Sequence, residues 1–248
     1  MYYESFGAGR PIFFLPSWGG DAGEGRDVHE PVFEQRPGWR RIYVDPPGTG
    51  RSPAVASITD QDGMLSAIAE LIDDLAGDAP FALAGTSAGG LHARGIVKRD
   101  PARVLGLLLR APGIVIDRSQ RTLPTDEYLM PSASRERQHQ YYDAAETQAN
   151  LAFLGAIQRD VSTYGLREDP AVRFERPTLI VTGRQDTTAG YADTWSILDD
   201  YPRATFAVLD QEDHFLPGPG SALYRALVTD WLTGVEQRIE QSIEHPDA

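Results

Sequence analysis

Cysteine is absent from the 248 residues. That excludes a disulfide scaffold, a thiolate nucleophile and cysteine metal sites, and it fits a reducing compartment. Basic residues are in deficit: Lys+Arg is 23 against Asp+Glu 36, a formal net charge of -13. Such a surface repels nucleic acid and anionic membranes at long range. No apolar run reaches the length of a membrane span, and the start, Met1 to Phe6, lacks a basic stretch followed by an apolar core. A soluble, cytoplasmic protein is therefore expected, with neither nucleic acid nor membrane as partner. No pair of histidines has metal-ligand spacing, so no metal or cofactor is expected. The glycines of Asp45–Pro53 are not followed by Gly-Lys-Ser/Thr, so this loop reads as a tight structural turn rather than a phosphate loop. Nothing in the sequence sets an oligomeric state.

What is present is a globular composition, 41% hydrophobic, at a length that suits one large α/β domain. Short apolar runs predict buried strands at Ile12–Leu15, Arg41–Val44, Phe81–Ala84, Val104–Leu109, Thr178–Val181 and Thr205–Leu209, with a further strand at Tyr2–Phe6. Met64, Leu65, Ile68, Leu71, Ile72 and Leu75 recur at helical spacing, with Ser57, Thr59 or Asp60 as a start cap and Gly77 as a stop. Helices are also predicted over Leu91–Lys98, Tyr191–Leu198 and Leu223–Ile239. The stretch between Trp18 and Arg41 reads as a polar loop holding His29. Strands alternating with helices argue a mainly parallel sheet with helices on both faces, and one antiparallel strand near the N-terminus.

That rhythm stops between Pro112 and Arg176, where no buried strand is predicted and Ser134–Arg159 reads as helical, anchored by Tyr142, Leu151, Phe153, Leu154 and Ile157. The expected organisation is a core of residues 1–111 and 177–248, with 112–176 inserted as helices over the sheet; helical packing below the sheet is the alternative.

Gly85-Thr86-Ser87-Ala88-Gly89 has the pattern G-x-S-x-G between a predicted strand and a predicted helix. In that context the serine sits on a sharp turn, where small neighbours let strand and helix approach. Asp186 leaves the end of one later strand and His214 the end of the next. Loops at the carboxyl ends of parallel strands gather on one edge of the sheet, so the three can meet. A serine hydroxyl needs a histidine to take its proton and an acid to orient that histidine. Asp210 and Asp213 compete for the acid role but stand too near His214 in the chain to approach its ring easily from the far side.

The motifs GTSAGG (85–90), DPPGTGRS (45–52), TLIVTGRQD (178–186) and LDQEDHF (209–215), in the order serine, acid, histidine, resemble the α/β-hydrolase family over nearly the whole chain. The resemblance implies Ser87 as nucleophile, His214 as base, Asp186 as acid and 112–176 as the cap that shapes the pocket. It further implies an oxyanion hole from the backbone N–H groups of Ala88 and Trp18. Trp18 reads equally as a pocket-wall or core residue. The family often carries His-Gly where this chain has Pro16-Ser17, a departure that bears on the local backbone. The activity implied is a serine hydrolase acting on an ester, lactone, thioester or amide of a small to medium, largely apolar compound. Carbon–carbon hydrolysis, a lyase, a perhydrolase, or a ligand-binding protein with a vestigial triad are the alternatives. Among the other histidines, His92 reads as packed or capping and His29 as surface-placed, while His139 and His245 have no visible partner. Arg110 reads as a partner for an acid in the insertion or for a substrate carboxylate.

Overall fold

Seven segments of this chain are strands: β1 Tyr3–Phe6, β2 Gly9–Leu15, β3 Gly38–Val44, β4 Phe81–Thr86, β5 Val104–Arg110, β6 Thr178–Gly183 and β7 Ala204–Leu209. They form a sheet in the order β1-β3-β2-β4-β5-β6-β7. The description rests on a computed structural model and covers residues 1–34, 36–129, 145, 147–216 and 221–244. Every pairing is parallel except β1 with β3, where Tyr3 faces Val44. The turn at Gly7–Gly9 closes no hairpin, because β3 lies between β1 and β2. Strand order reverses at β2, which has β3 on one side and β4 on the other. Connections leaving the carboxyl ends of β2 and β4 therefore diverge, and a crevice opens between them.

The described helices are α1 Ala22–Phe33, α2 Gln61–Ala76, α3 Ala88–Arg99, α4 Leu151–Gln158, α5 Val161–Tyr164, α6 Tyr191–Trp195 and α7 Ala222–Glu244. Successive strand residues point to opposite faces, and two separate cores result. Ile12, Phe14, Tyr43, Leu108, Leu179 and Val181 pack with Val28, Val32 and Phe33 of α1 and with Val228, Leu232 and Val235 of α7. Phe13, Leu15, Ile42, Leu107, Leu109 and Ile180 pack with Leu65, Ile68 and Ile72 of α2 and with Ala93, Ile96 and Val97 of α3. Strands covered on both sides are apolar without alternation, which is why each was legible as a continuous run.

α2 starts at the cap Asp60 and stops at Gly77, whose φ is 54°. The helix predicted over Tyr191–Leu198 ends at Trp195 and resumes as a 3₁₀ turn at Leu198–Asp200. α1 is a correction: a helix occupies the stretch read as a polar loop. Gly23, Gly25 and Pro31 dilute its helical signal, yet Asp21 caps it by accepting from Gly23 N–H at 2.9 Å. Its glycine at 25 lets the helix lie on the sheet, since a Cβ there would stand 3.1 Å from Phe14. His29 is corrected with it. The side chain is buried, with Nδ1 2.7 Å from the Gly25 carbonyl and Nε2 2.9 Å from Tyr224 Oη.

The described part of 112–176 holds α4, α5 and two 3₁₀ turns, at Arg118–Gln120 and Asp126–Tyr128. Asn150 N–H donates to the Gly48 carbonyl at 2.8 Å, and Arg121 donates to the carbonyls of Val115, Ile116 and Thr188. The bonds to Gly48 and Thr188 tie the segment to loops at the carboxyl edge of the sheet, while those to Val115 and Ile116 brace the segment itself. Of the predicted helix over Ser134–Arg159, residues 134–144 and 146, with Tyr142 and His139, fall outside the described residues, as does His245; residues 147–150 are a turn, and the helix is seen over Leu151–Gln158. No described helix is long and apolar enough to cross a membrane, and no described group of His, Asp or Glu is disposed to hold a metal ion.

His29 and His92 are both buried and both held neutral. Burial pushes the first down to about 3 and the second to about 4. Both values lie below the free value of 6.5, so below that pH the unfolded chain binds protons that the folded chain refuses. Stability should therefore fall on acidification from pH 6.5 towards pH 4, by about 1.4 kcal/mol per pH unit for each histidine. Urea unfolding across that range should show this slope, and His29→Asn should remove about half of it. An unchanged slope in that variant would contradict a neutral, buried His29.

Candidate active site

β4 delivers Ser87 to the crevice, and the turn into α3 fixes its backbone at φ 52°, ψ -114°. A non-glycine residue at positive φ is strained by about 1–3 kcal/mol. The surroundings hold it there. Ser87 N–H donates to the Arg110 carbonyl at 2.9 Å, and the Ser87 carbonyl accepts from Gly90, Leu91 and Gly113 N–H. The glycines are demanded by crowding. A Cβ on Gly85 would lie 2.3 Å from the Gly89 carbonyl oxygen, and one on Gly89 would lie 2.2 Å from that of Leu15.

Ser87 Oγ stands 2.9 Å from His214 Nε2, and His214 Nδ1 stands 2.9 Å from Asp186 Oδ2. A carboxylate accepts, so the imidazole carries its proton on Nδ1 and turns the Nε2 lone pair to the serine hydroxyl. Asp186 is 0% exposed. Burial alone would raise its pKa, but the facing His214 Nδ1–H, with Ala189 and Thr188 N–H on Oδ1 at 2.8 Å each, holds it below the usual value. The loops carrying the acid and the histidine are bonded to each other. Gln185 N–H donates to the Glu212 carbonyl and its Nε2 to the Asp210 carbonyl, each at 2.9 Å. Of the three candidate acids, Asp186 is the one at the imidazole. Its support by Thr188 and Ala189 N–H has one local signal in the sequence: Asp followed by two threonines is a turn pattern whose side chain binds backbone N–H groups.

The loop after β2 passes beside the start of α3. Ala88 and Trp18 backbone N–H groups have no acceptor among the described residues. Ser17, in place of the usual glycine, keeps an ordinary negative φ. Its N–H and Oγ both bond the buried Glu24 Oε2, at 2.9 and 2.8 Å. The Trp18 ring packs edge-on against Tyr164, with centroids 5.1 Å apart, within the cluster around Ile58 and Met64.

Ser87 and His214 open on a cavity of about 360 Å³. Its wall includes Leu91, Ile116, Val161 and Tyr164, together with Arg118, Arg121 and Arg159. Described residues of the 112–176 segment thus line the same cavity as the serine. His92 is packed, its Nε2 2.6 Å from Gln61 Oε1. Among the described residues Arg110 has no acid partner. It is 2% exposed, lies over the Tyr224 ring at 5.1 Å and donates to the Phe215 carbonyl at 3.5 Å.

A parallel sheet with a serine at a strained strand-to-helix turn, bonded to a histidine from a later loop, defines the class of protein. A family model described as alpha/beta hydrolase fold matches residues 10–153, more than half of the chain, and the chain belongs to that family. A curated relative is the pimeloyl-[acyl-carrier protein] methyl ester esterase of Legionella pneumophila (strain Corby), 29% identical over 109 residues. That match spans 44% of this chain and 40% of the relative. Among solved structures, an alpha/beta superfamily hydrolase from Oenococcus oeni PSU-1 superposes with a TM-score of 0.81 at 22% identity, over 94% of this chain and 96% of the other. A thermophilic esterase from Thermogutta terrifontis superposes with a TM-score of 0.74 at 17% identity, over 94% and 93%.

The crowding at the turn yields a paired prediction. Gly89→Ala meets two backbone carbonyls, Leu15 at 2.2 Å and Pro16 at 2.5 Å, and should destabilise by about 1–3 kcal/mol or more. Gly155→Ala, on α4 with open space at its Cβ, should be neutral or stabilise by about 0.5–1 kcal/mol. Urea unfolding of both variants checks this; equal midpoints would refute the packing account.

Proposed function

We propose that this protein is a serine hydrolase that cleaves a carboxylic ester of small to medium size through an acyl-enzyme. The observation that carries the reading is the unbroken Ser87–His214–Asp186 chain of 2.9 Å contacts opening on a cavity. Ser87 Oγ attacks the ester carbonyl carbon while His214 Nε2 takes its proton. The carbonyl oxygen becomes an oxyanion, held by the N–H groups of Ala88 and Trp18 at the positive end of α3. When the tetrahedral adduct collapses, the carbon–oxygen bond to the leaving alcohol breaks, and His214 returns the proton to that alcohol. A water, deprotonated by His214, then attacks the acyl carbon; the carbon–Oγ bond breaks, His214 returns the proton to Ser87 Oγ, and the carboxylic acid is released. Asp186 keeps the imidazole in the tautomer that both halves require.

The largely apolar part of the substrate lies against Leu91, Ile116, Val161 and Tyr164, and residues 112–176 act as a cap over it. The likeness to a methyl ester esterase over 109 residues supports an ester as the scissile group.

A fluorophosphonate should label Ser87, and wild type should turn over p-nitrophenyl acyl esters. Ser87→Ala and His214→Ala should each lower turnover on the order of 10⁶, with the double variant little worse, because the groups act as a unit. Asp186→Asn should cost about 10⁴ by favouring the wrong tautomer. Full activity in a folded Ser87→Ala would overturn the reading.

The second oxyanion donor is tested at the backbone. Trp18→Ala keeps the N–H and should retain much of the activity, whereas Trp18→Pro deletes it and should cost about 10²–10³ in turnover. Equal losses would assign the role to the indole instead.

A further inference from the structure

Gln61 is the first residue of α2, one past its cap Asp60. Its side chain is 0% exposed to solvent, yet it forms part of the wall of the same cavity as Ser87, Ala88 and His214. The amide is oriented from behind. Its Oε1 lies 2.6 Å from His92 Nε2, and because a carbonyl oxygen only accepts, His92 is the donor. Burial lowers His92 to about 4, so at neutral pH the ring carries a single N–H, and the amide oxygen consumes it. The other end of the amide is left over: Gln61 Nε2 is buried and has no hydrogen-bond partner among the described residues.

A buried donor without a partner is costly, and native structures rarely keep one without a use. The scissile carbonyl does not require it, since the N–H groups of Ala88 and Trp18 are assigned to that oxygen. We propose that Gln61 determines specificity, donating from Nε2 to an acceptor oxygen carried along the acyl chain of the substrate, a ketone or amide carbonyl, while His92 positions the amide. The substrate class is then an ester whose largely apolar acyl chain bears one further carbonyl oxygen. Its description as an ester rests on the serine-hydrolase reading; the hydrogen bond does not.

The probes are p-nitrophenyl hexanoate and its derivatives with a ketone moved along the chain one carbon at a time. In wild type, kcat/KM should peak at one ketone position, about tenfold above the plain hexanoate. In Gln61→Leu and Gln61→Met that ratio should fall about tenfold, to the value that the ketone's inductive effect alone sets. Comparing ratios between proteins cancels the inductive effect of the ketone. His92→Gln, which can still donate to Oε1, should keep the peak, and His92→Leu should lose it. A role in packing alone would lower every ester by one common factor and leave the ratios intact, which would overturn the proposal. So would a wild-type profile without a peak. The same esters in equilibrium dialysis with Ser87→Ala read binding without chemistry. The favoured ketone should bind about tenfold tighter than hexanoate, and adding Gln61→Leu should erase the difference. A binding preference without wild-type turnover would overturn the serine-hydrolase reading and leave Gln61 in its role. Turnover without the preference would do the reverse.

Discussion

The backbone of Ser87 is the constraint on which the rest depends. A side-chain-bearing residue at φ 52° persists only where its surroundings over-determine it. Here four backbone hydrogen bonds do so, reaching from α3, from the end of β5 and from Gly113 at the head of the following segment. The sheet, the helix behind it and the chain that follows β5 are therefore all referenced to one residue. The close approach that results leaves no room for a Cβ at Gly85 or Gly89. That is why the motif is spelled with glycines, and why a hydroxyl ends up at the open edge of an otherwise apolar sheet.

Charge in and around the site is governed by burial. Asp186 is fully enclosed but stays ionised because three donors face it. His29 and His92 are enclosed without an acid and stay neutral, each with its tautomer fixed by a single oxygen: the Gly25 carbonyl for His29 and the Gln61 amide for His92. The whole chain carries a formal -13, yet three arginines stand on the cavity wall. Arg121 is spent on three backbone carbonyls, fixing that wall rather than leaving it to move. The cavity wall, with three arginines against Asp117, is thus basic although the chain as a whole is acidic, which a net charge cannot reveal.

Much of the fold was legible because it is written in local patterns. Strands β2 to β6 read as apolar runs because most of their residues are covered, while the edge strand β7 is only partly covered; Ser87, Asp186 and His214 are readable as one group because each follows a strand end on the same edge of the sheet. What failed was information that only tertiary contact supplies. His29 looks solvated in sequence because its neighbours Asp27 and Glu30 are acidic; its partner, Tyr224, lies 195 residues away. Gln61 reads as an ordinary polar residue at a helix start. Only the packing of α2 on α3 brings it to His92 and leaves its Nε2 without a partner.

The helix missed in sequence and the departure at Ser17 are one fact. A glycine after β2 would be free to adopt whatever backbone the loop needs, while a serine there needs a reason to stay put. Glu24 is that reason, accepting from both the N–H and the Oγ of Ser17 with one buried oxygen. It can do so only because α1 exists, capped by Asp21 and lying close enough to the sheet to place residue 24 under the loop. The acid is part of the first turn, where the helix dipole favours negative charge. So the chain replaces a flexible residue by a tethered one, and the helix with the weak sequence signal holds the loop that presents the Trp18 N–H. Gly25, one of the residues that dilute its helical pattern, is also the one whose missing Cβ leaves room for Phe14 and Tyr43, so a feature that hid α1 also lets it lie close to the sheet.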